Sequence, residues 1–366
     1  MRQRSGFALG TALLALGLIG ALVTGTFFVA THEQRTGTDV LATTRALGAA
    51  ELGVDAAMTT WDREWNVVMQ RGDRRTAAAP IVDAASAITE IVRLDNQLFL
   101  VSSEGRSGPA RRTVRRYVAL TVPLPALSAA ATLGGAATID GTTQIDGTDR
   151  APDGWICPDP APSVAGVTTP DSSLIATNGC SLGTCVNGSP PIVVDSTLRH
   201  SGTLLHVGDL DWSELILRAN ATVEGNATPR SSERAGVCDV EDPHNWGDPD
   251  RSGNGVCANH FALIHSPGDL TIDGGRGQGI LLVGGDLTIR GGFHFAGLVM
   301  VRGALHADAA RISGALTVAA ADSSTLSALN NLAVHFSRCA VHAAILGTAV
   351  PEPIVERSWF EVVDGQ

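Results

Sequence analysis

The sequence predicts an α+β fold, in which an N-terminal helix able to cross a membrane precedes a larger, mainly β domain. Three observations predict it. Residues 7–30 contain no charged side chain, the chain has 41 glycines but only 4% aromatic residues, and short Gly-Asp-Leu segments repeat in its second half. A glycine-rich composition with many Val, Ile and Leu residues favours short strands joined by turns. A chain of 366 residues can form one large domain or two moderate ones.

The uncharged run at residues 7–30 is long enough to cross a bilayer, since a helix of that length spans about 36 Å. Arg2 and Arg4 precede it, and basic residues stay on the cytoplasmic side. We therefore expect a single-pass protein of the bacterial inner membrane, with its N-terminus in the cytoplasm and the rest in the periplasm. A secretory signal is disfavoured because Phe27–Thr31 is a poor small-x-small cleavage site, whereas an uncleaved anchor remains an alternative.

The leader itself is short and ends in Gly6, which is followed directly by Phe7. This arrangement resembles the class III leader of type IV prepilins, and the segment from Arg45 to Gly53 is similar to the A-x-x-A-A-E-x-G signature of PilX-type N-terminal domains. The resemblance implies that prepilin peptidase cuts between Gly6 and Phe7 (leader 1–6), that the new N-terminus is methylated and that helix 7–30 is retained. Most major pilins have glutamate where this chain has Thr11, and that departure is typical of PilX-like and GspK-like minor pilins and pseudopilins.

Residues 31–104 are predicted to form a periplasmic helical stalk. It carries a stripe of small residues at helical spacing, which suits close packing either between helices of a filament or against the chain's own domain: Ala46, Ala49, Ala50, Gly53, Val54 and Ala57. A mainly β domain is expected to occupy residues 105–366, beginning with a strand over Thr113–Val122.

The repeats give this domain its predicted architecture. Gly268–Gly275 recurs almost unchanged seventeen residues later as Gly285–Gly292, with an earlier partial copy at Val207–Leu210 and a fading one at Gly314–Val318. Short strands separated by glycine corners at a near-constant period are typical of a solenoid, in which each rung covers the apolar side chains of its neighbour. We predict a parallel β-helix-like solenoid over 130–320, and its rungs resemble bactofilin-like segments.

Two inserts are expected to interrupt the repeats, at residues 150–192 and 225–259. After them, Ala340–Leu346 and Trp359–Val363 are predicted strands. Cysteine occurs only in this exported half: Cys157, Cys180, Cys185, Cys238, Cys257 and Cys339. An even number of cysteines in an oxidising compartment indicates disulfides. Cys238 is predicted to bond Cys257 across the second insert, and Cys157 to bond Cys180 or Cys185.

The second insert also contains a candidate Ca²⁺ site. Asp248, Asp250, Ser252 and Asn254 offer oxygen ligands at alternating positions, and hard oxygen ligands suit Ca²⁺. The glycine and glutamate of an EF-hand are out of register. The alternative is a turn-rich surface loop in which these side chains bond their own backbone.

Catalytic motifs give no support for an enzyme. The sequence has no Gly-x-Ser-x-Gly, His-Glu-x-x-His or P-loop pattern, and the histidines are scattered singly. Asp269, Asp273 and Asp286 with Arg276 and Arg290 could imitate the acidic clusters of β-helix polysaccharide lyases, but we favour the interpretation that they are solvated corner residues. A net charge of −11 disfavours binding to nucleic acid, and the arginine run at 106–116 is interpreted as an exposed edge strand.

The sequence therefore predicts a non-enzymatic minor pilin or pseudopilin without an obligatory cofactor. Its expected partners are the inner membrane, prepilin peptidase, other pilins or pseudopilins and the pilus assembly machinery. Its expected role is assembly, priming or tip function, including adhesion, in a type IV pilus or a type II secretion pseudopilus. The rival hypothesis is a membrane-anchored β-helix carbohydrate-active enzyme or adhesin outside any pilus system.

Overall fold

A computed structural model describes residues 7–77, 81–82, 85–122, 127–199, 204–251, 255–320, 326–354 and 359–362. The chain divides into two compact units. The first comprises Met1–Trp61, Gln70–Ala119 and Pro353–Gln366, and the second comprises Asp62–Met69 and Leu120–Glu352.

The helices are α1 (Phe7–Thr59), α2 (Trp65–Val68), α3 (Leu182–Cys185), α4 (Trp212–Leu217) and α5 (Arg338–Thr348), with single 3-10 turns at Ser172–Leu174 and Ser196–Arg199. The strands up to residue 194 are β1 (Arg74–Ala77), β2 (Ile81–Val82), β3 (Ala85–Arg93), β4 (Leu98–Ser107), β5 (Ala110–Leu120), β6 (Ala129–Leu133), β7 (Ala137–Asp140), β8 (Gln144–Asp146), β9 (Ala165–Thr169), β10 (Ile175–Asn178), β11 (Val186–Asn187) and β12 (Ile192–Val194). The later strands are β13 (His206–Val207), β14 (Leu210–Asp211), β15 (Ala221–Thr222), β16 (Gly225–Ala227), β17 (Glu233–Arg234), β18 (Val237–Cys238), β19 (Ala262–Ser266), β20 (Leu270–Val283), β21 (Leu287–Val301), β22 (Leu305–Val318), β23 (Ser327–Phe336), β24 (Pro351–Pro353) and β25 (Trp359–Val362).

The first unit consists of α1 and an antiparallel sheet. The sheet runs in the order β1-β3-β4-β5, with β2 on β3 and β25 on β5. The C-terminal half of α1 contacts β3 and β4. Inward side chains such as Ile91, Val101 and Val114 are fully buried. Apolar burial of this kind supplies most of the stability of a helix packed on a sheet.

Small residues let α1 approach the sheet closely. The predicted stripe is buried, with Ala46, Ala50 and Ala57 fully inaccessible to solvent. A Cβ atom added at Gly105 of β4 would run into the carbonyl oxygen of Ala46. One added at Gly53 would meet a buried pair of hydroxyls, in which Thr89 Oγ1 and Ser103 Oγ lie 2.9 Å apart. Of the two alternatives, the stripe therefore packs on the chain's own domain.

The predicted helical stalk over 31–104 is wrong beyond Thr59, and so is the domain boundary at 105. Residues 85–93 alternate between buried and more exposed positions, the pattern of a strand. Ile88, Thr89, Ile91 and Val92 are β-branched, which favours a strand over a helix. The arginine run is not an edge either, because β5 pairs with β4 on one side and with β25 on the other.

The second unit is built on a ladder of parallel strands. β19, β20, β21, β22 and β23 are successive parallel neighbours, and β7 and β10 continue the order beyond β23. The repeats lie side by side, with Leu270 opposite Leu287 and Leu287 opposite Leu305. The prediction of an N-terminal helix followed by a mainly β domain with a parallel sheet is confirmed.

The ladder buries apolar side chains on both of its sides. One side contributes residues such as Ile272, Phe293 and Val299 to the larger core. The other contributes Leu282, Leu298 and Met300, which pack with α5. Strands buried on both faces read as nearly continuous apolar runs, and this explains the buried runs Ile280–Val283 and Leu298–Val301.

Aspartate side chains tie the start of one repeat to the next. Asp269 Oδ1 accepts a hydrogen bond of 2.8 Å from the backbone N–H of Asp286. Asp286 Oδ1 in turn accepts one of 2.7 Å from the backbone N–H of Ala304. The repeated Gly-Asp-Leu sequence therefore satisfies backbone donors between rungs, where ladder hydrogen bonds are interrupted.

Three other sequence predictions for this unit are wrong. The insert at 150–192 contains β9–β12, which join the parallel ladder. The early copy at Val207–Leu210 forms an antiparallel pair instead of a rung. Ala340–Leu346 lies within helix α5, which begins after Ser337, whose side chain accepts from Ala340 N–H. Such a serine is a typical helix N-cap.

The contact between Gly105 and α1 predicts the effect of substitutions. Gly105→Ala should lower the free energy of unfolding by about 1–3 kcal/mol, since the added methyl group forces helix and sheet apart. Urea unfolding of the full chain in detergent, followed by tryptophan fluorescence, measures it. Gly48→Ala on α1 is the matched control, because its Cβ atom meets nothing within 4 Å, and it should be neutral or stabilising. Equal effects of the two substitutions would contradict this packing.

The aspartate contacts between repeats predict a second result. Asp286→Ala should destabilise the second unit by about 1–3 kcal/mol, because it leaves the Ala304 N–H without its acceptor. Asp286→Asn, which keeps an acceptor oxygen, should cost less. Asp273→Ala on the exposed side of β20 is the control, with an expected change below about 0.5 kcal/mol. Thermal unfolding distinguishes them, and a loss from Asp273→Ala as large as that from Asp286→Ala would contradict the prediction.

Candidate functional site

The N-terminal half of α1 is apolar and exposed. An 18-residue window in this helix has a mean hydropathy of 2.2, and none of it is buried. Leu13, Leu22 and Phe27 are each more than 60% exposed. Such a surface is stable only in an apolar environment. Among the described residues, α1 is the one helix that is both long enough and apolar enough to cross a membrane.

The predicted cleavage site is only partly described. Gly6 lies outside the described residues, and Phe7 is the first residue of α1. The helix then continues without interruption for 53 residues. The same continuous helix therefore supplies both the exposed apolar surface and the buried stripe that packs on the antiparallel sheet.

The acidic insert is held on the ladder by Trp246. This side chain is fully buried and packs edge-to-face on Phe293, with ring centroids 6.3 Å apart. Its Nε1–H donates to the carbonyl of Pro243 at 3.0 Å. The insert is further closed by a disulfide between Cys238 and Cys257, the pair favoured from the sequence.

The other disulfides differ from the prediction. Cys157 bonds Cys339, and Cys180 bonds Cys185, so the pairing of Cys157 with Cys180 or Cys185 is wrong. Cys339 lies in the first turn of α5, 182 residues from Cys157 along the chain. No local sequence pattern could indicate that this helix packs beside residue 157.

The two candidate Ca²⁺ ligands that the structure describes, Asp248 and Asp250, are not arranged to bind a cation. Ser252 and Asn254 lie outside the described residues. Asp248 Oδ1 lies 3.6 Å from Arg276 Nη1, and Asp250 Oδ2 lies 3.4 Å from the same nitrogen. A guanidinium between two carboxylates competes with a metal ion for the same charge. Among the described residues, no group of three His, Cys, Asp or Glu side chains is placed to hold a metal.

The acidic residues before Asp248 are engaged in ion pairs. Arg234 lies 2.8 Å from Asp239 and 3.0 Å from Glu241, and Arg230 lies 2.9 Å from Asp242. These contacts hold the insert together and leave its carboxylates with positive partners. They support the interpretation of this part as a structured surface loop.

The lyase-like set is dispersed. Asp269 and Asp286 accept hydrogen bonds from backbone N–H groups of the following repeat. Asp273 lies opposite Arg290 on the neighbouring strand, and both residues are exposed. Arg276 instead reaches the insert, where it pairs with Asp248 and Asp250. The five side chains therefore do not form one cluster.

The structure brings together a group that sequence reasoning missed, which we call the Asp250–His294–Ser313 relay. His294 Nδ1 lies 2.6 Å from Asp250 Oδ1, and His294 Nε2 lies 3.4 Å from Ser313 Oγ. An ionised carboxylate can only accept, so Nδ1 carries the hydrogen, and Nε2 of the neutral ring faces the serine hydroxyl as an acceptor. The side chain of His294 is 17% exposed, and that of Asp250 is 40% exposed.

The repeat period was the signal that could have indicated this group. Arg276, His294 and Arg311 are spaced by eighteen and seventeen residues, and they lie in register on β20, β21 and β22. The row therefore follows from the same period as the Gly-Asp-Leu repeats. Asp250 could not be placed from the period, because it comes from the insert.

Arg276 and Asp248 also border an open polar cleft of about 480 Å³. Its other lining residues include Thr228, Arg230, Ser231 and Glu233. The cleft combines two arginines, Arg230 and Arg276, with two carboxylates, Asp248 and Glu233, so its lining is polar without a net charge.

Comparison with known proteins gives limited information about this chain. No family model matches it, and no curated protein matches it. Among solved structures it is similar to the competence-associated pilin ComZ from Thermus thermophilus, with 13% sequence identity and a TM-score of 0.26. That alignment covers 88% of this chain and 98% of the other. At so low a TM-score, the function has to be inferred from the chain's own residues.

Proposed function

We propose that the chain is a membrane-anchored protein of the type IV pilin or pseudopilin class. The proposal rests on the difference between the two halves of α1. Its first half is apolar and fully exposed, whereas its second half packs through small residues on an antiparallel sheet. Pilins use one helix in both of these ways, first in the membrane and then in the core of the domain.

The leader supports a specific route to the membrane. In the proposal, prepilin peptidase cuts between Gly6 and Phe7, and the amine of Phe7 is methylated. Arg2 and Arg4 keep the leader cytoplasmic, so the chain beyond the membrane-spanning half of α1 lies on the periplasmic side. The protein then associates with other pilins or pseudopilins and with the assembly machinery.

Thr11 suits a minor role in the filament. Without a carboxylate at the fifth mature position, the chain lacks the residue with which major pilins pair a neighbour's N-terminal amine. A subunit at the tip or in a priming complex does not need that contact on every side. We therefore propose a PilX-like or GspK-like minor component, whose second unit faces outward and contacts cells or surfaces. This assembly role requires no catalysis.

We further propose that the ladder of the second unit forms a β-helix-like solenoid. β22 pairs with β23 over residues 306–314 and with β6 over residues 316–318. On the next step, β23 pairs with β7 and β8, and β6 pairs with β9. Pairing of each rung with the next at several separate segments is what a coiled, many-sided stack requires.

Substitution of the leader glycine tests the proposed function. Gly6→Ala should block removal of the leader, because prepilin peptidase requires glycine before the cut, and the protein should be lost from sheared fibres. Immunoblots of membranes and fibres measure both effects. Gly10→Ala is the matched control, since it lies inside the exposed helix and meets nothing within 4 Å, and it should mature normally. If Gly6→Ala matures to the same size with fibres unaffected, the pilin proposal fails.

A further inference from the structure

We propose that the second unit carries an acyl-transfer site, in which Ser313 is the nucleophile, His294 is the general base and Asp250 is a positioning residue, acting on an ester that also bears a negative charge. This activity goes beyond the assembly role, which does not depend on it.

The relay has the order of contacts that activates a serine hydroxyl. A nucleophile must lie within hydrogen-bond reach of a base, and a third group must orient that base. His294 Nε2 lies 3.4 Å from Ser313 Oγ, a distance within the looser range of sites without substrate, and Nδ1 is held at 2.6 Å by Asp250. The same three roles recur on unrelated folds and are recognised by geometry instead of sequence order.

Rigid elements hold two of the three side chains. His294 lies on β21 and Ser313 on β22, adjacent parallel strands in register, with Ala296 opposite Ser313. Ser313 is only 7% exposed. Asp250 comes from the insert. It is held by Arg276 of β20, whose Nη1 lies 3.4 Å from Asp250 Oδ2. A catalytic group on strands is positioned more accurately than one on a loop.

The flanking arginines indicate the class of substrate. Arg276 and Arg311 lie in register on either side of His294, about 5 Å away along the ladder on each side. Arg311 is two residues from Ser313, so both side chains leave the same face of β22. Its guanidinium, whose Nη1 lies 3.5 Å from the exposed carboxylate of Asp153, can turn to donate to the oxyanion that forms during acyl transfer. Arg276 also lines the polar cleft, and an anionic group of the substrate beside His294 would pair with its guanidinium.

The proposed step is balanced with water as the second substrate. Ser313 Oγ attacks the ester carbonyl carbon while its proton moves to His294 Nε2. The carbon–oxygen bond to the alcohol then breaks, and His294 passes the proton to the departing alcohol oxygen. Water attacks the acyl-serine with His294 as base, which releases the carboxylic acid and restores the serine hydroxyl.

Labelling by a fluorophosphonate probe tests the nucleophile directly. An activated serine displaces fluoride and forms a P–O bond to the probe, so mass spectrometry of the full chain in detergent should find the adduct on Ser313. Ser313→Ala should remove it. His294→Ala should slow labelling by about 100-fold or more, the usual contribution of a general base.

Two control substitutions and a pair of Asp250 variants separate chemistry from folding. Ser173→Ala removes a serine whose hydroxyl donates to Asp171 at 2.8 Å, and His306→Ala removes an exposed histidine on the same strand as Ser313; neither should change labelling. Asp250→Asn should slow labelling at least about tenfold and Asp250→Glu should partly restore it, although both variants unfold at similar temperatures. A purely structural aspartate would not give that difference in rate.

The substrate class has its own measurement. Hydrolysis of 4-acetoxybenzoate, an anionic ester, should be faster than that of phenyl acetate, and Arg276→Gln should reduce the difference. A folded wild-type chain that is not labelled at Ser313, or one labelled equally fast after His294→Ala, would overturn the proposal. Faster hydrolysis of the neutral ester would overturn the proposed substrate class. The leader variant Gly6→Ala should leave labelling unchanged, so failure of this proposal is distinguishable from failure of the pilin proposal.

Discussion

Helix α1 has to satisfy two different surroundings along one continuous backbone, and the first unit depends on that constraint. Over its first half the helix has apolar side chains exposed on every face. Over its second half the same backbone approaches β4 so closely that Gly105 has no room for a side chain beside Ala46. A bulky residue in the stripe would part helix and sheet, whereas a charged residue in the first half would oppose insertion. The sequence meets both demands with an uncharged run over residues 7–30 and a stripe of small residues that begins at Ala46.

The second unit depends on a different constraint, the in-register pairing of its repeats. Because β20, β21 and β22 pair residue for residue over most of their length, any side chain on one strand has a defined neighbour on the next. This register places Asp269 and Asp286 where they can bond the backbone of the following repeat. It also brings His294 beside Ser313 and between two arginines. An insert held by Trp246 and by the Cys238–Cys257 disulfide then adds Asp250, the third member of the relay.

Sequence reasoning succeeded where a feature is local or periodic. The uncharged run predicted α1, and the seventeen-residue repeat predicted the parallel neighbours of the ladder. It failed where a local pattern suits two structures or where contacts are distant. Residues 31–104 were predicted to be helical, whereas residues 85–93 alternate in burial and form strand β3, which packs on α1. Helix α5 was predicted to be a strand because Ala340–Leu346 is a short apolar run, which suits either structure. The Cys157–Cys339 bond joins residues that only the tertiary fold brings together.

The same distinction applies to the candidate sites. The acidic insert was found from its composition, but the positive partners of its carboxylates were not, since Arg276 reaches them from the ladder. The relay was not predicted because its members are separated by 44 and 19 residues along the chain, so no local motif joins them. Alignment of the repeats would have placed His294 in the row of Arg276 and Arg311, with Ser313 two residues beyond Arg311, whereas Asp250 could be placed only by the structure.

Mass spectrometry of the mature N-terminus, on protein purified from membranes of the native host, tests the central claim most directly. The pilin proposal predicts a chain that begins with N-methylated Phe7 and retains the whole of α1. A chain that begins at Met1, or one cut after Ala30, would contradict it.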